Sequence, residues 1–394
     1  MLFADDTSLT AFGVDPSLTV AALNRDLLKI ANWAEIWKVT FNATKSKDII
    51  FTNRVLNNSP PLTLNNTVVD RVSTHKHLGL YLTSTLDWSR QVQEVCTKAY
   101  RKLAVLRSVK HLHRNTLDLL YKLTVRSVVD YGIIVYGSTL KASDLARLEQ
   151  LQYRAGKLIT GALHLTSSEK INNELGWESI KIRADFLGLS LFHKIVFHET
   201  RPLVRSCLSE KIFRKGSRQF GNFSKYPNYG AKFSKSYFPY FSNKWNNLPR
   251  STRNLDLPDF KDKLKSVLKP LKLKHHAYGS KLGNKLWTRL RLNRTHLNSH
   301  GYATGKVATP ACQCHHKNET VQHYLLDCFL YTNERQLLFS RVNQYVSNFY
   351  AKSKTHKTEL LLFGIPNNDN SEINSNVAKL TQSFILQTKR FLLH

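Results

Sequence analysis

Two adjacent carboxylates near the start of the chain are the first candidates for chemistry. Phe3-Ala4-Asp5-Asp6 is followed by Thr7-Ser8-Leu9, so strand-forming residues flank the aspartates and predict a tight hairpin with Asp5 and Asp6 at its tip. Like charges this close repel each other, and the pair is most stable where divalent cations neutralise it. Mg²⁺ binds to a few carboxylates, and two such ions support in-line displacement at phosphorus. The alternative is an ordinary turn, which aspartate also favours.

A second group of chemically active side chains lies near the C-terminus. It has the spacing of a four-ligand metal site: Cys312-x-Cys314-x₈-His323-x₄-Cys328. Three thiolates and one imidazole suit a structural, tetrahedral Zn²⁺ site. A regular helix would turn Cys328 away from His323, so the helix must bend or end before Cys328. His315 and His316 are alternative ligands, and reduced cysteines in a small core are the alternative to zinc. Of the remaining cysteines, Cys96 is expected in the core and Cys207 is unassigned.

The charge of the chain indicates a polyanionic partner. The 394 residues have a formal net charge of +30 and a pI of about 10.0, and such self-repulsion is typical of proteins that bind nucleic acid. Residues 201–280 contain 18 Lys and Arg but only four acidic residues, and aromatic residues are interleaved with the basic ones. Arg289, Arg291 and Arg294 extend the basic character. Stacking on unpaired bases and packing of a small domain are the two interpretations of the aromatic residues, and Trp245 is expected to be buried.

The elements that position these residues follow from periodicity. We predict a helix starting at Asp15 (N-cap) and Pro16, strands at 48–52 and 77–83, and helices over most of 88–161 and 169–198. Two buried stripes are predicted: Val92, Val95, Ala99, Leu103 and Leu106 in the first, and Leu145, Leu148, Gln152, Ala155 and Leu158 in the second. Ser143 and Gly161 are the expected cap and stop of the second helix. Loop and linker are predicted from 201 to about Leu257, and a helix over Pro258–Leu268.

Several motifs together resemble one protein family. Phe3–Asp6 resembles the (Tyr/Phe)-Ala-Asp-Asp hairpin of reverse transcriptases, which supplies two of their three catalytic carboxylates. The following motifs resemble non-long-terminal-repeat (LINE-type, Jockey-like) retrotransposon polymerases, in the expected order: Asn32-Trp33, Trp37, Phe41-Asn42-x-x-Lys45-Ser46, His77-Leu78-Gly79-Leu80-Tyr81, Leu148-Glu149-x-Leu151-Gln152, Leu175-Gly176-Trp177, Trp245-Asn246-x-Leu248-Pro249, Leu286-x-x-Arg289-Leu290-Arg291 and Tyr331-x-x-x-Arg335. The resemblance covers residues 1 to about 340.

The resemblance implies RNA-templated DNA synthesis, with Asp5 and Asp6 as Mg²⁺ ligands. It makes Lys45 a candidate general acid or phosphate contact, and a surface lysine is the alternative. It places Gly79 where a nucleic-acid backbone approaches at the primer end, and a plain bulge is the alternative. A Cys/His cluster like the one at 312–328 recurs at the C-terminus of LINE-type proteins, which supports Zn²⁺. RNA and DNA are the implied partners.

The resemblance also implies a third carboxylate on a strand upstream of the hairpin. The chain starts one residue before the first strand of that hairpin, so we expect a truncated frame and an isolated chain that does not polymerise DNA. The competing hypothesis is a catalytically dead nucleic-acid-binding remnant with a structural zinc site. No apolar run reaches the roughly 18 residues of a membrane helix, and no signal peptide is recognised. A nuclear or cytoplasmic location without membrane contact is therefore expected.

The predicted fold is α+β, with a truncated palm hairpin, a mostly helical thumb and a small zinc-knuckle-like region. The expected divisions are a partial palm (1–86), the thumb (87–200), a basic, aromatic-rich linker region (201–280) and a C-terminal region with the Cys/His cluster (281–394).

Overall fold

The computed structural model describes residues 2–3, 6–52, 60–210, 221–268, 278–365 and 371–391. The chain divides into two compact units, Met1–Glu94 and Val95–His394. Helices predominate and the strands are short, which agrees with the predicted α+β class. Among the described helices, none combines the length and the apolar character that crossing a bilayer requires.

The strands of the first unit pair two by two. The described strands are β1 (Leu2–Phe3), β2 (Asp6–Thr7), β3 (Lys47–Asp48), β4 (Thr63–Leu64), β5 (Thr67–Val68), β6 (Asp70–Arg71), β7 (Thr74–His77) and β8 (Leu80–Thr83). β1–β2, β4–β5 and β7–β8 are antiparallel hairpins, and β3 pairs with β6 in parallel. The predicted strand at 48–52 is thus reduced to its first residue.

The first helix, α1 (Pro16–Ile36), begins as the sequence predicts. The Asp15 carboxylate accepts hydrogen bonds from Ser17 N (2.7 Å) and Leu18 N (3.4 Å), and Pro16 occupies the first turn. This arrangement satisfies backbone donors that have no partner within the helix. Val20 of α1 packs with Leu62, Leu64 and Val69, which form the small core of this unit.

Most described residues of the second unit are helical. The described helices, beginning with one that starts in the first unit, are α2 (Ser89–Ser108), α3 (Arg114–Leu120), α4 (Ser127–Asp130), α5 (Ile133–Tyr136), α6 (Ala142–Thr160), α7 (Ser168–Leu175), α8 (Ile180–His198), α9 (Pro202–Ser206), α10 (Ala231–Ser234), α11 (Tyr237–Asn246), α12 (Arg250–Arg253), α13 (Leu257–Leu268), α14 (Lys281–Arg291), α15 (Asn298–Ala303), α16 (Thr332–Tyr345), α17 (Lys354–Phe363) and α18 (Ser371–Gln387). Residues Tyr121–Arg126 and His323–Asp327 are π-helical, and Phe329–Tyr331 form a 3₁₀ turn.

The two predicted apolar stripes differ in how completely they are buried. All five residues of the α2 stripe are buried, which confirms that prediction. In α6, Leu148, Gln152 and Ala155 are buried, whereas Leu145 and Leu158 are only partly buried. Gly161 ends α6 with a φ of 65°, the left-handed conformation that glycine adopts without strain. Ser143 is not the N-cap, because α6 starts at Ala142 and Lys141 takes that position.

The described part of the segment predicted as loop and linker contains four helices, α9 to α12. Phe223, Phe241 and Trp245 of this segment pack against α8 and α13 in a buried cluster. Its members are Leu189, Phe192, Phe223, Phe241, Trp245, Leu248, Phe260 and Leu264. The prediction of loop and linker up to Leu257 was therefore wrong, because the apolar burial of these rings outweighs the local abundance of Gly, Asn, Ser and Pro. Trp245 is buried, as predicted.

The C-terminal helices form another core. Trp287 and Leu290 of α14 pack with Tyr324, Leu361 and Phe384. The indole N–H of Trp287 donates to Leu361 O at 3.0 Å, so this large side chain is buried without losing its hydrogen bond. This core holds the segment that contains the Cys/His cluster.

Candidate metal and nucleic-acid sites

The four predicted zinc ligands converge in the second unit. Cys312, Cys314, His323 and Cys328 are all buried, and their ligand atoms lie within 4.8 Å of one another. The Sγ atoms of Cys312 and Cys328 are 3.7 Å apart, and Cys314 Sγ is 3.2 Å from His323 Nε2. Bond lengths of about 2.3 Å to sulfur and 2.0 Å to nitrogen around tetrahedral Zn²⁺ separate the ligands by about 3.5 Å. The residues therefore fit a zinc ion.

Two local backbone features bring the ligands together. Cys312 N donates to His316 O at 2.9 Å, which closes the turn that contains both early cysteines. The segment His323–Asp327 is π-helical, and Cys328 N donates to His323 O at 2.8 Å before the chain becomes extended. This wider turn brings residues five apart onto one side. The prediction that the helix must bend or end before Cys328 is confirmed.

Neighbouring side chains stabilise the cluster. Arg335 donates to Leu325 O at 3.1 Å and also to Cys328 O, which fixes the backbone beside the last cysteine. The ring of His316 stacks on that of His323, with centroids 4.2 Å apart. His316 therefore lies beside the four-ligand set, which does not include it or His315.

The pKa values of the cysteine and histidine side chains in the cluster suit a metal cation that displaces the thiol protons. Burial raises the pKa of the Cys312 thiol to about 12 and also raises that of Cys328. Burial lowers the pKa of His323, and the adjacent His316 lowers it further, so the imidazole is neutral and has a lone pair to offer. Since zinc ligands must be deprotonated thiolates and neutral imidazole, metal binding here would release protons.

The strands of the predicted hairpin pair, but Asp6 lies on the second strand and not at the tip as predicted, because it pairs with Phe3. β1 and β2 pair in antiparallel register, with Phe3 opposite Asp6. Asp6 is exposed on β2, whereas Asp5 lies outside the described residues. The Asp6 carboxylate acts electrostatically on His75 of β7, whose pKa is lowered by burial and by His77 and Lys47 and raised in part by Asp6.

Lys45 and Gly79 lie in turns of the first unit. Lys45 is exposed, and its backbone N–H donates to the Asn42 side chain at 3.0 Å. Gly79 does not lie inside a strand: Leu78 and Gly79, with φ of 45° and 81°, form the turn between β7 and β8. In the part of the chain that the structure describes, no hydrogen bond or ion pair joins Lys45 or Gly79 to Asp6.

The three arginines expected to contact nucleic acid have different surroundings. Arg291 is buried, and its guanidinium pairs with Glu174. The prediction that Arg291 contacts nucleic acid was therefore wrong, because its charge is paired inside the protein core. Arg289 is half-buried, and its Nε donates to Gly161 O at 3.0 Å. Arg294, after the end of α14, is also half-buried. Lys281 and Lys285 share a face of α14 with Arg289 and were not predicted as binding residues. Their spacing of four residues is the pattern that could have indicated them.

Comparison with known proteins gives a consistent result. The chain is 29% identical over 178 residues to the RNA-directed DNA polymerase from the mobile element jockey of Drosophila melanogaster, a match covering 44% of this chain and 19% of the relative. It is 25% identical over 182 residues to the probable RNA-directed DNA polymerase from transposon X-element of the same species, with the same coverage. The jockey polymerase of Drosophila funebris is 27% identical over 165 residues, covering 41% and 18%.

These matches confirm the resemblance to polymerases of Jockey-like retrotransposons. The matched region spans about a fifth of the length of each relative. No protein-family model matches the chain, and no solved structure does so either.

Proposed function

We propose that this chain is part of an RNA-directed DNA polymerase of a non-long-terminal-repeat retrotransposon and that it holds RNA and DNA for that enzyme. The similarity to the jockey and X-element polymerases is the observation that carries the proposal. The β1–β2 hairpin with its exposed Asp6 and the net charge of +30 support it. In this assignment the first unit includes the end of a polymerase palm, the helices that follow form the thumb, and the setting is nuclear or cytoplasmic.

In the parent enzyme, Asp5 and Asp6 would hold Mg²⁺, which supplies activation of a primer hydroxyl and stabilisation of the leaving pyrophosphate. Asp6 offers a carboxylate exposed to solvent at the end of a hairpin. The exposed ammonium of Lys45 is available to donate a proton to, or contact, a phosphate oxygen. The turn at Gly79 exposes backbone without a side chain, which permits close approach of a nucleic-acid strand.

The first test is to sequence the transcript and the genomic DNA upstream of the Met1 codon, and then to assay primer extension on an RNA template with Mg²⁺. We expect the 394-residue chain alone to be inactive. We expect extension when an open upstream frame with a strand-borne aspartate is expressed together with the chain. Asp6→Asn should abolish that extension, while Asp15→Asn, at the cap of α1, should retain it. Retained extension in Asp6→Asn would disprove the catalytic assignment.

A second candidate function is nucleic-acid binding without catalysis, combined with a structural zinc site. The convergence of the Cys/His cluster favours it, because this site forms within the second unit and does not depend on the hairpin. Stops or frameshifts upstream of Met1, together with RNA binding by the chain and no extension under any condition, would decide for this alternative.

The zinc assignment is tested by metal content. We expect the folded, reduced protein to retain about one zinc per chain after dialysis, and Cys314→Ser to lose most of it and to unfold at a lower temperature. Cys207→Ser is the matched control, because Cys207 is exposed and lies outside the cluster. Equal zinc content in wild-type protein and Cys314→Ser, or no zinc in either, would refute the assignment.

A further inference from the structure

Basic side chains line one face of α14. Lys281, Lys285 and Arg289 recur every four residues, so they follow one another along the same side of the helix. Lys281 Nζ donates to the backbone oxygen of Lys110, in the turns after α2. These four residues, Lys110, Lys281, Lys285 and Arg289, are called the α14 cation cluster.

The α14 cation cluster contains four positively charged side chains. Within the described ranges, none of its four members forms an ion pair with a carboxylate. Burial lowers the pKa of Lys285, and the positive charges of Arg289, Lys281 and Lys110 lower it further. The C-terminal end of α6 beside the cluster contributes only about −0.5 of a charge. A polyanion would therefore be attracted to this face of α14.

The stems of two of these side chains are held in place by packing. Arg289 Nε donates to Gly161 O at 3.0 Å. The aliphatic chain of Lys285 lies over Gly161, where an added Cβ would be 2.7 Å from Lys285 Cγ. Lys285 is nevertheless exposed overall, as expected of a side chain whose stem is packed and whose charged end reaches water. Fixed stems lower the entropy that binding would cost.

The length of the α14 cation cluster favours a nucleic-acid strand over a single small anion. Residues four apart on a helix are separated by a rise of about 6 Å, so the backbone positions of Lys281 and Arg289 are about 12 Å apart along α14. This length exceeds a single phosphate group and suits successive phosphates of one strand. Contacts of this kind set affinity and register without reading the base sequence.

We propose that the α14 cation cluster binds the phosphate backbone of a nucleic-acid strand. The inference rests on the proposed function and deepens it, because it locates a surface at which the chain holds its nucleic acid. Arg289 holds this face of α14 in place through its hydrogen bond to Gly161 O, and Lys281 and Lys285 carry the exposed charges.

The test is the salt dependence of RNA binding by the full chain. Affinity for a 30-nucleotide single-stranded RNA is measured by fluorescence anisotropy at several KCl concentrations. Each phosphate contact contributes about 0.7 to the slope of log affinity against log salt. We expect Lys281→Gln/Lys285→Gln to reduce that slope by about 1.4 and Lys281→Arg/Lys285→Arg to keep it.

The matched control is Lys263→Gln/Lys306→Gln, which removes two exposed charges of the same unit outside the cluster. An unchanged slope in the Lys281/Lys285 glutamine variant, with normal binding by wild-type protein, overturns the inference and leaves the proposed function standing. Absence of RNA binding by wild-type protein overturns both. Displacement of RNA by inorganic phosphate well beyond that by chloride at equal ionic strength would show a small-anion site instead and also overturns the inference.

Discussion

At the scale of single residues, a buried carboxylate, Glu174, lies between two arginines. Glu174 Oε1 accepts from Arg114 Nη1 at 2.6 Å and also from Arg291, whose Nε donates to Glu174 Oε2 at 3.1 Å. Thr288 Oγ1 accepts from both guanidinium groups, at 3.2 and 3.0 Å. The guanidinium of Arg291 also lies over the ring of Trp287, 3.8 Å from its centroid. This network joins α3, α7 and α14.

We predict that Glu174→Gln destabilises the second unit by about 3 to 5 kcal/mol, because it leaves two buried guanidinium groups without a negative charge. Denaturant unfolding followed by tryptophan fluorescence measures the change. Glu169→Gln, an exposed position on the same helix, should change stability by less than about 1 kcal/mol. A loss of that small size in Glu174→Gln would show that the pair adds little to stability.

At the scale of elements, the contact between α8 and α11 decides the fold of the region predicted as a linker. Gly188 of α8 faces the buried ring of Phe241, and Tyr237 donates a hydrogen bond to Gly188 O at 3.0 Å. A Cβ at position 188 would lie 2.0 Å from Phe241 Cζ. The glycine therefore permits close approach of the two helices.

We predict that Gly188→Ala destabilises the protein by about 2 kcal/mol. The exchange gains about 1 kcal/mol of helix propensity, but overpacking a close-packed core costs about 1 to 3 kcal/mol, and a buried ring has little room to move. Thermal unfolding measures the net effect. Phe241→Leu in the Gly188→Ala background should restore part of the loss, because the shorter side chain removes the clash. Simple additivity of the two substitutions would contradict this explanation.

At the scale of the whole molecule, the buried His193 and the half-buried His300 link stability to pH. Burial lowers the pKa of His193 and that of His300. For His193, a hydrogen bond with Leu255 O and the charge of Asp256 oppose the shift, and His198 adds to it. His193 Nε2 lies 2.9 Å from Leu255 O. Each of these neutral imidazoles lowers the free energy of unfolding in acid, because the unfolded chain accepts a proton that the folded chain does not.

We predict that the free energy of unfolding falls as the pH drops from 7 towards 5. The contribution of His193 is complete above its unfolded pKa of about 6.5 and is lost as the pH falls through the range down to its lower folded value. Denaturant unfolding followed through Trp245, whose ring is 5.9 Å from that of His193, measures the change. His193→Gln should flatten the dependence and the exposed His111→Gln should not; identical slopes in all three proteins would contradict the prediction.

Local patterns predicted much of this architecture. The cap and first turn of α1, the buried stripe of α2 and the stop of α6 at Gly161 each depend on residues within a few positions of one another, and each is confirmed. The bend before Cys328 was predictable for the same reason, because it follows from the helical repeat alone. These features require no knowledge of distant contacts.

Residue types and their spacing were enough to predict the resemblance to Jockey-like polymerases, the paired strands of the hairpin and the four cysteine and histidine residues that converge. The pairing of Arg291 inside the core, the packing of Phe223, Phe241 and Trp245 against α8 and the contact of Lys281 with Lys110 depend on residues distant in sequence. The reason is physical. Charge and aromatic composition are the same for a buried and an exposed side chain, and burial is settled by partners such as Glu174, which lies more than a hundred residues from Arg291.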